Sequence, residues 1–331
     1  MNVLILHPEG NLHYNPNLLG LIEMLGEAGH RVTYVTRRRP DIRQDGPAPA
    51  RTTVLLLDNP HHDGRFVFTA SGVSDFQQWA EHDLVIGVDR GIAEAASIAR
   101  HFGIPHALIS YEIFFQEETP AERKAPEIDA CRDLSFAVAQ DDLRARKLCL
   151  ANRINPDLVL RIPVAGRGYR GSEPKPKRLH EQFSLHDGVR TALYAGSLAD
   201  WTGASFLLES THAWPEHWML IVHERFGPSP ANVELVRRLA HPERIRISPS
   251  GINDPVALSE FVASADLGIA TYRPTYENEW VGRNIEHIGL ASGKIASYLQ
   301  HGVPVAANEL GEITDWIRYY GAGTIFALDR P

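Results

Sequence analysis

Short apolar runs that alternate with helical stretches are the feature that most constrains the fold of this chain. In the first half, buried strands are predicted at Val3–His7, Arg31–Thr36 and Leu84–Val88, and Asn17–Ala28 has helical spacing. The other runs are strands at 53–57, 106–110, 135–139 and 158–162, with helices at 92–102 and 141–152. Apolar runs without a polar face predict a parallel sheet that is covered by helices on both sides.

A second alternating series follows. It predicts strands at 192–195, 218–223, 245–247, 267–270, 303–307 and 324–326, with helices at 204–213, 232–240, 258–265 and 294–300. The segment 165–189 between the two series is rich in Gly, Pro and charge and has little apolar periodicity. We therefore predict an α/β protein with two doubly wound Rossmann-like domains, residues 1–168 and 189–331, joined by a linker at 169–188. Such domains face a central cleft at the carboxyl ends of their strands, where ligands bind.

Composition excludes several classes of protein. The net charge of −8 argues against a general nucleic-acid binder, and Arg37, Arg38 and Arg39 form only a short basic cluster. The two cysteines have no metal-ligand spacing and form no disulfide framework, which fits a reducing cytoplasm. No apolar stretch approaches the roughly 20 residues of a membrane span. We expect a cytoplasmic protein with at most peripheral contact with the inner membrane face, and we interpret His61–Asp63 as a solvated loop rather than a metal site.

The stretch Ile288–Ala307, IGLASGKIASYLQHGVPVAA, combines a small-residue turn, a helical pattern and a Gly-X-Pro step into an apolar strand. The turn consists of Ser292, Gly293 and Lys294. Small residues before a helix let backbone N–H groups approach an anion, and the helix N-terminus adds partial positive charge. The same residues also cap ordinary helices, and a lysine there can be a plain surface residue. The turn therefore predicts either a phosphate site or a helix cap.

The order of these elements and several phrases resemble the retaining GT-B glycosyltransferases of the large family 4-like group, over nearly the whole chain. The phrases are LGLIEMLGEAGHRVTYVT after the first strand, ALYAGSL at Ala192–Leu198, SADLGIATY at Ser264–Tyr272, and SGKIASYLQHGVPVAANELGEITDWI from Ser292. The resemblance implies transfer of a sugar, with retention and without a metal or cofactor, from a nucleoside-diphosphate donor, UDP- or GDP-linked. The acceptor would be a hydroxyl of a small molecule, a glycan or a lipid-linked molecule.

The resemblance also implies a set of donor-binding residues in the second domain. They are Gly196, Ser197, Gly251, Ile252, Glu286, Ser292, Gly293 and Lys294. The developing negative charge of a diphosphate leaving group requires cations and oriented N–H donors, so Lys294 and Arg283 are candidate catalytic residues. Because glutamates flank Arg283, an ordinary surface ion pair is an equal alternative for it.

In the first domain, two strand ends offer candidate groups for the acceptor. Glu112 follows the strand HALISYE and is the third candidate catalytic residue, able to orient or deprotonate an acceptor hydroxyl. A solvated or ion-paired carboxylate is the alternative. The acceptor-binding candidates are Gly10, His13, Tyr14, Asn15 and Asp89. The loop that holds the first four can also be a simple turn.

The chain departs from the family pattern at two places. Relatives bind the diphosphate with an arginine and a lysine in the loop that here reads GSLADWTG, where Leu198 or Ala199 and Thr202 stand instead. The two glutamates that flank the donor turn in relatives correspond to Gly289 and Ser297, and Glu286 can replace one of them only by a shift of register. Relatives also continue with a helix beyond the last strand, so we expect a short variant or an incomplete chain.

These departures leave a second function open, a non-catalytic GT-B subunit that binds a nucleotide or a partner protein. A third interpretation, a non-hydrolysing epimerase, needs more carboxylates at the strand ends than the sequence offers. The oligomeric state is not predicted.

Overall fold

The computed structural model describes residues 1–8, 10, 12, 15–38, 48–57, 79–165, 175–252 and 254–328. The chain divides into two compact units, Met1–Pro163 and Val164–Pro331. Each unit has its own parallel sheet. The predicted loop at 61–63 lies outside the described residues.

The described part of the first unit contains a seven-stranded parallel sheet of order β3-β2-β1-β4-β5-β6-β7. Its strands are β1 (Asn2–His7), β2 (Arg31–Arg37), β3 (Thr52–Leu57), β4 (Leu84–Val88), β5 (His106–Ile109), β6 (Phe136–Ala139) and β7 (Val159–Arg161). Strand β1 pairs with both β2 and β4, so the strand order reverses there. In sheets of this kind, ligands bind outside the carboxyl ends of the strands at the reversal.

Helices cover both faces of this sheet. In the described part they are α1 (Pro16–Glu27), α2 (Ile92–Phe102), α3 (Ala121–Ala130) and α4 (Asp142–Asn152). Leu18 of α1 packs in one core with Ile5, whereas Ile98 of α2 and Leu148 of α4 pack in the other with Leu4. Because successive residues of β1 point into two apolar cores, the strand ends are the natural place for polar groups.

The described part of the second unit contains a six-stranded parallel sheet of order β10-β9-β8-β11-β12-β13. Its strands are β8 (Arg190–Ala195), β9 (Trp218–His223), β10 (Ile245–Ile247), β11 (Leu267–Ala270), β12 (Val305–Asn308) and β13 (Gly323–Phe326). This is the strand order of dinucleotide-binding sheets, with the reversal between β8 and β11. The two sheets confirm the predicted α/β architecture of two Rossmann-like units.

The helices of the second unit connect these strands. Those described are α5 (Arg178–Phe183), α6 (Ala204–Ser210), α7 (Pro230–Leu239), α8 (Pro255–Ala263), α9 (Arg283–Glu286), α10 (Gly293–Gln300) and α11 (Glu312–Tyr319). Within the described ranges, every helix of the chain is too short or too polar to span a bilayer.

Four described helices fall where the sequence predicts none: α3, α5, the short α9 and α11. Helix α5 lies inside the segment interpreted as a linker, and its Leu179 is fully buried in the core of the second unit. Helix α3 has an interior proline and buries Lys124 and Glu127 rather than an apolar stripe. Lys124 forms an ion pair with Glu127 at 3.1 Å, and Asn152 of α4 donates to Glu127 at 2.7 Å. A helix whose buried face is charged has no apolar period to detect.

Tyr298 attaches α10 to the reversal point of the second sheet. Its hydroxyl donates to the carbonyl of Leu193 at 2.9 Å and accepts from the N–H of Ala195 at 2.8 Å. A Cβ on Gly268 would lie 2.3 Å from the Tyr298 ring, so the ring fits because position 268 is glycine. One buried hydroxyl therefore joins α10 to β8.

The variant Tyr298→Phe should lower the free energy of unfolding of the second unit by about 1–3 kcal/mol, because it leaves a buried N–H and a buried carbonyl without this partner. Urea unfolding measures the change. Tyr319→Phe is the matched control, since Tyr319 is 83% exposed and its loss should be neutral. Equal stability of Tyr298→Phe and the wild type would contradict the role of this hydroxyl.

Candidate functional site

The turn at Ser292 acts as a helix cap. Ser292 is the N-cap of α10, and its hydroxyl oxygen accepts from the N–H of Ile295 at 3.3 Å. The Ser292 hydroxyl also hydrogen-bonds to the Tyr272 hydroxyl at 2.8 Å. Gly293 and Lys294 occupy the first two helical positions, where the helix provides no acceptor for the N–H groups. The capping interpretation is thus confirmed, and it leaves two backbone donors for an anion.

Lys294 is not a plain surface lysine. Its side chain is half-buried, and its Nζ donates to the Tyr194 hydroxyl at 3.1 Å. Three rings surround the ammonium, with centroids at 4.5 Å for Tyr194, 4.8 Å for Tyr272 and 5.9 Å for Trp201. No carboxylate of the described residues forms an ion pair with it. The rings favour the ammonium form, whereas burial lowers the pKa of Lys294 to about 7.

The loop after β8 lies directly against Lys294. A Cβ on Gly196 would be 2.5 Å from Cε of Lys294 and 3.0 Å from its Nζ, so the lysine side chain crosses the loop where a glycine stands. The carbonyl of the exposed Ser197 accepts from the Tyr194 hydroxyl at 2.8 Å. The structure therefore brings Gly196, Ser197 and the turn before α10 together around one cation.

The rest of this loop carries no cation. Thr202 is fully buried, and its hydroxyl lies 2.7 Å from the carbonyl of Ala199 and 3.1 Å from that of Ser197. Leu198 is 6% exposed and packs in the core. Neutral hydrogen bonds and apolar packing thus stand where the resemblance implies an arginine and a lysine, and the cation in contact with Gly196 is Lys294.

The turn after β10 is tightly built. A Cβ on Gly251 would lie 2.1 Å from the carbonyl oxygen of Arg225, so the backbone after β9 approaches closer than any side chain permits. Ile252 is half-buried against the core. Asp254 caps α8 by accepting from the N–H of Ala257 at 3.0 Å. Gly251 and Ile252 therefore offer backbone groups at the sheet edge.

Arg283 and Glu286 lie in the short helix α9. Arg283 is half-buried, and the exposed Glu286 accepts from the Tyr276 hydroxyl at 3.0 Å. Neither residue hydrogen-bonds to Lys294. Gly289 has a φ of +42° in a buried turn, and the half-buried Ser297 follows in α10. No carboxylate therefore stands at the two positions where relatives have glutamates.

In the first unit, Asp89 and Glu112 meet at neighbouring strand ends. Asp89 follows β4 with a φ of +50°, and its Oδ1 accepts from the N–H groups of Tyr111 at 2.7 Å and Glu112 at 2.9 Å. Burial raises the pKa of Asp89 to about 7. Burial and the charge of Asp89 raise the pKa of Glu112 to about 8, although Arg144 opposes this. Paired carboxyls with separated and raised pKa values are suited to proton transfer near neutral pH.

Arg144, which the sequence analysis does not select, organises this carboxyl pair. Its side chain is 1% exposed and donates to Gln140 Oε1 at 2.7 Å and to the carbonyl of Tyr111 at 2.6 Å. Gln140 in turn donates to the carbonyl of Ser110 at 2.7 Å. A buried arginine thus fixes the turn that carries Glu112. The charged residues around it in α4 are typical of an exposed helix, so the local sequence does not predict that Arg144 is buried.

Two described residues of the loop after β1, Gly10 and Asn15, make contacts within the first unit. A Cβ on Gly10 would lie 1.9 Å from the His7 ring, and His7 Nδ1 hydrogen-bonds to the Tyr34 hydroxyl at 3.1 Å. Asn15 caps α1 by accepting from the N–H of Leu18 at 3.0 Å. Gly10 and Asn15 therefore have structural roles, while the predicted acceptor contacts of His13 and Tyr14 lie outside the described residues.

No family model matches this chain, and no curated protein matches it by sequence. Solved structures do match its fold. The Anabaena protein HepE, solved with UDP-glucose, has a TM-score of 0.70 and 15% identity, over 99% of this chain and 85% of that chain. WaaG, a glycosyltransferase involved in lipopolysaccharide biosynthesis, has a TM-score of 0.68 and 16% identity, over 99% and 86%. UDP-GlcNAc 2-epimerase from Methanocaldococcus jannaschii has a TM-score of 0.59 and 11% identity, over 99% and 89%.

At these identities the likeness establishes the fold, and the chain has the GT-B fold that its resemblance implies. The fold alone does not choose the reaction, because a transferase and an epimerase share it.

UDP, used as an anionic probe of the turn at Ser292–Lys294, should bind less tightly as the pH rises from 7 to 9. With its pKa lowered to about 7, Lys294 is charged below that pH and neutral above it, so binding at higher pH must add a proton. The expected loss is about tenfold per pH unit while the bound lysine stays charged. Calorimetry measures the affinities, and neighbouring Tyr194 stays neutral because burial raises its pKa.

Lys294→Arg keeps a permanent charge and should give a flat profile over this range. Lys294→Met should bind weakly at every pH. A wild-type affinity that is constant from pH 7 to 9 would argue against Lys294 as the titrating cation.

Proposed function

We propose that this protein is a glycosyltransferase that moves a sugar from a nucleoside-diphosphate donor to an acceptor hydroxyl. The observation that carries the proposal is the Lys294 ammonium, which lies at the start of α10 against Gly196 and has no carboxylate partner in the described part of the chain. A half-buried cation without a counter-ion loses hydration in the free protein and favours an anionic ligand. UDP or UDP-glucose bound to HepE, which has the same fold, supports a nucleotide-sugar donor.

In the proposed reaction, the sugar–phosphate bond breaks and negative charge develops on the diphosphate. Lys294 and the N–H groups of Gly293 and Lys294 stabilise that charge, and an oriented cation in a half-buried site is more effective than one in water. Such stabilisation can serve without a metal ion. In the described residues, no three His, Cys, Asp or Glu side chains group as metal ligands. We include metal independence in the proposal, to be tested by turnover in EDTA.

For the acceptor, we assign Glu112 and Asp89 to the proton transfer. The acceptor oxygen bonds to the sugar carbon on the face that the diphosphate leaves. The configuration is then retained, and the acceptor proton passes to a carboxylate with a pKa near neutrality, which is a suitable base. The acceptor can be a small molecule, a glycan or a lipid-linked hydroxyl. We further propose that the anomeric configuration is retained, that the enzyme acts in the cytoplasm, and that any membrane contact is peripheral. NMR of the product anomer tests retention.

A non-catalytic nucleotide-binding subunit is the second candidate. The loop from Gly196 to Thr202, closed by neutral hydrogen bonds, favours it, as do the positions Gly289 and Ser297, which lack carboxylates. Tight UDP binding without hydrolysis or transfer of any sugar from a panel of UDP, GDP and ADP sugars would select this candidate. An epimerase would instead change the configuration of the free nucleotide sugar.

Lys294→Met should weaken UDP binding at pH 7 by about 10- to 150-fold, the range expected when a hydrogen bond to a charged group is lost. Thermal stabilisation by UDP measures the loss, because a ligand of the native state raises stability by mass action. Lys177→Met is the matched control, since the side chain of Lys177 is 67% exposed and pairs with Asp187 at 3.1 Å. Equal binding by Lys294→Met and the control would refute the donor site.

Glu112→Gln should lower kcat by about 10²- to 10⁴-fold with little change in UDP affinity. In the wild type, kcat should rise with pH toward about 8, where Glu112 becomes ionised, and the variant should lose this rise. Rates across pH 6–9 at saturating donor provide the measurement, with the exposed Glu81→Gln as the control. An unchanged kcat would exclude Glu112 as the base.

A further inference from the structure

The carboxyl end of β9 holds two adjacent polar residues that are nearly buried and incompletely paired. His223 is 4% exposed and Glu224 is 9% exposed. Within the described residues, His223 Nδ1 and Glu224 Oε1 have no hydrogen-bond partner. A buried polar atom without a partner destabilises the free protein, because it has lost its hydrogen bond to water. Two such atoms on adjacent residues, at the carboxyl end of a strand where ligands bind, indicate groups whose hydrogen bonds are made by a bound ligand.

By hydrogen-bond geometry, Oε1 of Glu224 has no partner among the described residues, although the N–H of Leu198 lies close enough to the carboxylate to lower its pKa. Oε2 accepts from the side-chain amide of Asn232 at 2.7 Å. Burial raises the pKa of Glu224, while the Asn232 amide and the nearby N–H of Leu198 oppose the shift. Because the terminal torsion of a glutamate is soft, the carboxylate can turn toward a ligand without backbone movement.

His223 is the neutral neighbour of this carboxylate. Its ring packs on Phe261 of α8 with centroids 4.9 Å apart, and burial lowers the pKa of His223 to about 4. At neutral pH the ring therefore carries no charge and can accept or donate a hydrogen bond to a hydroxyl group.

Strand β9 lies between the two loops of the proposed donor site. The N–H of Gly196, after β8, donates to the carbonyl of His223 at 2.9 Å. On the other side, Gly251, after β10, approaches the carbonyl of Arg225, which follows β9. The end of β9 is thus in direct contact with both loops.

The strand order β10-β9-β8 determines where the ribose of a bound nucleotide lies. Neighbouring strands are about 4.7–4.9 Å apart, so β8 and β10 are separated by about twice that distance. If a base contacts Gly251 and Ile252 and a diphosphate contacts Gly196 and Lys294, the ribose between them crosses the end of β9. The groups that meet it there are His223 and Glu224.

We infer that Glu224, with His223 beside it, binds the ribose hydroxyls of the donor nucleotide, an inference that rests on the nucleotide-sugar function proposed above. A carboxylate is an acceptor only, and the vicinal diol of a ribose offers two O–H donors to it.

The test compares UDP with 2′-deoxy-UDP and 3′-deoxy-UDP by calorimetry on the wild type and on Glu224→Gln. The wild type should bind UDP at least about tenfold more tightly than one of the deoxy analogues, since hydrogen bonds to a charged group have that magnitude. Glu224→Gln keeps the size of the side chain and a partner for Asn232. It should reduce the preference for UDP to about twofold or less.

The ratio separates recognition from a merely structural role. A structural defect weakens UDP and both analogues equally and leaves the ratio intact, which would overturn the inference. Glu209→Gln is the matched control, because Glu209 is an exposed residue of α6 in the same unit and should keep the wild-type ratio.

The same experiment distinguishes this inference from the proposed function. If the wild type binds UDP but does not prefer it to either analogue, the ribose site is refuted and the donor site stands. If UDP, GDP and ADP all fail to bind, the nucleotide function is refuted and the inference with it.

Discussion

The buried hydroxyl of Tyr298 is the interaction on which the second unit depends. It joins α10 to β8 by bonds to Leu193 and Ala195, at the point where the strand order reverses. Lys294 lies one helical turn earlier, on the same side of α10. The bond that holds the helix therefore also sets the position of the cation, so that Lys294 reaches Tyr194 and the loop at Gly196. Stability and the candidate site share one set of contacts.

The electrostatics of this site follow from what surrounds the lysine. Aromatic rings, rather than carboxylates, contact Lys294, and the hydroxyl and backbone of Thr202 close the adjacent loop without charge. A cation so placed loses hydration and gains no counter-ion, which is why its pKa falls. The positive charge of Lys294 therefore remains uncompensated at the strand ends, where a diphosphate would neutralise it. Glu224 at the end of β9 complements it with an acceptor for hydroxyl groups.

The first unit uses a different principle. Asp89 and Glu112 lie at neighbouring strand ends, where the Asp89 carboxylate accepts from the N–H groups of Tyr111 and Glu112. The buried Arg144 donates to the carbonyl of Tyr111 and so holds the turn that carries Glu112. Burial raises both carboxyl pKa values while the arginine limits the rise. Under the proposed function, the first unit supplies groups for proton transfer, and the second supplies a cation and oriented N–H donors.

The sequence by itself determined the two parallel sheets and the turn at Ser292–Lys294, because apolar runs and small residues before a helix are local patterns that follow from backbone geometry. It also showed that the loop around Thr202 has no arginine or lysine. Only the tertiary structure decided that Lys294 is enclosed by aromatic rings and that Arg144 supports Glu112. It also decided that His223 Nδ1 and Glu224 Oε1 have no hydrogen-bond partner among the described residues. Burial and pairing of this kind involve residues that are far apart in the chain, so no local sequence pattern predicts them.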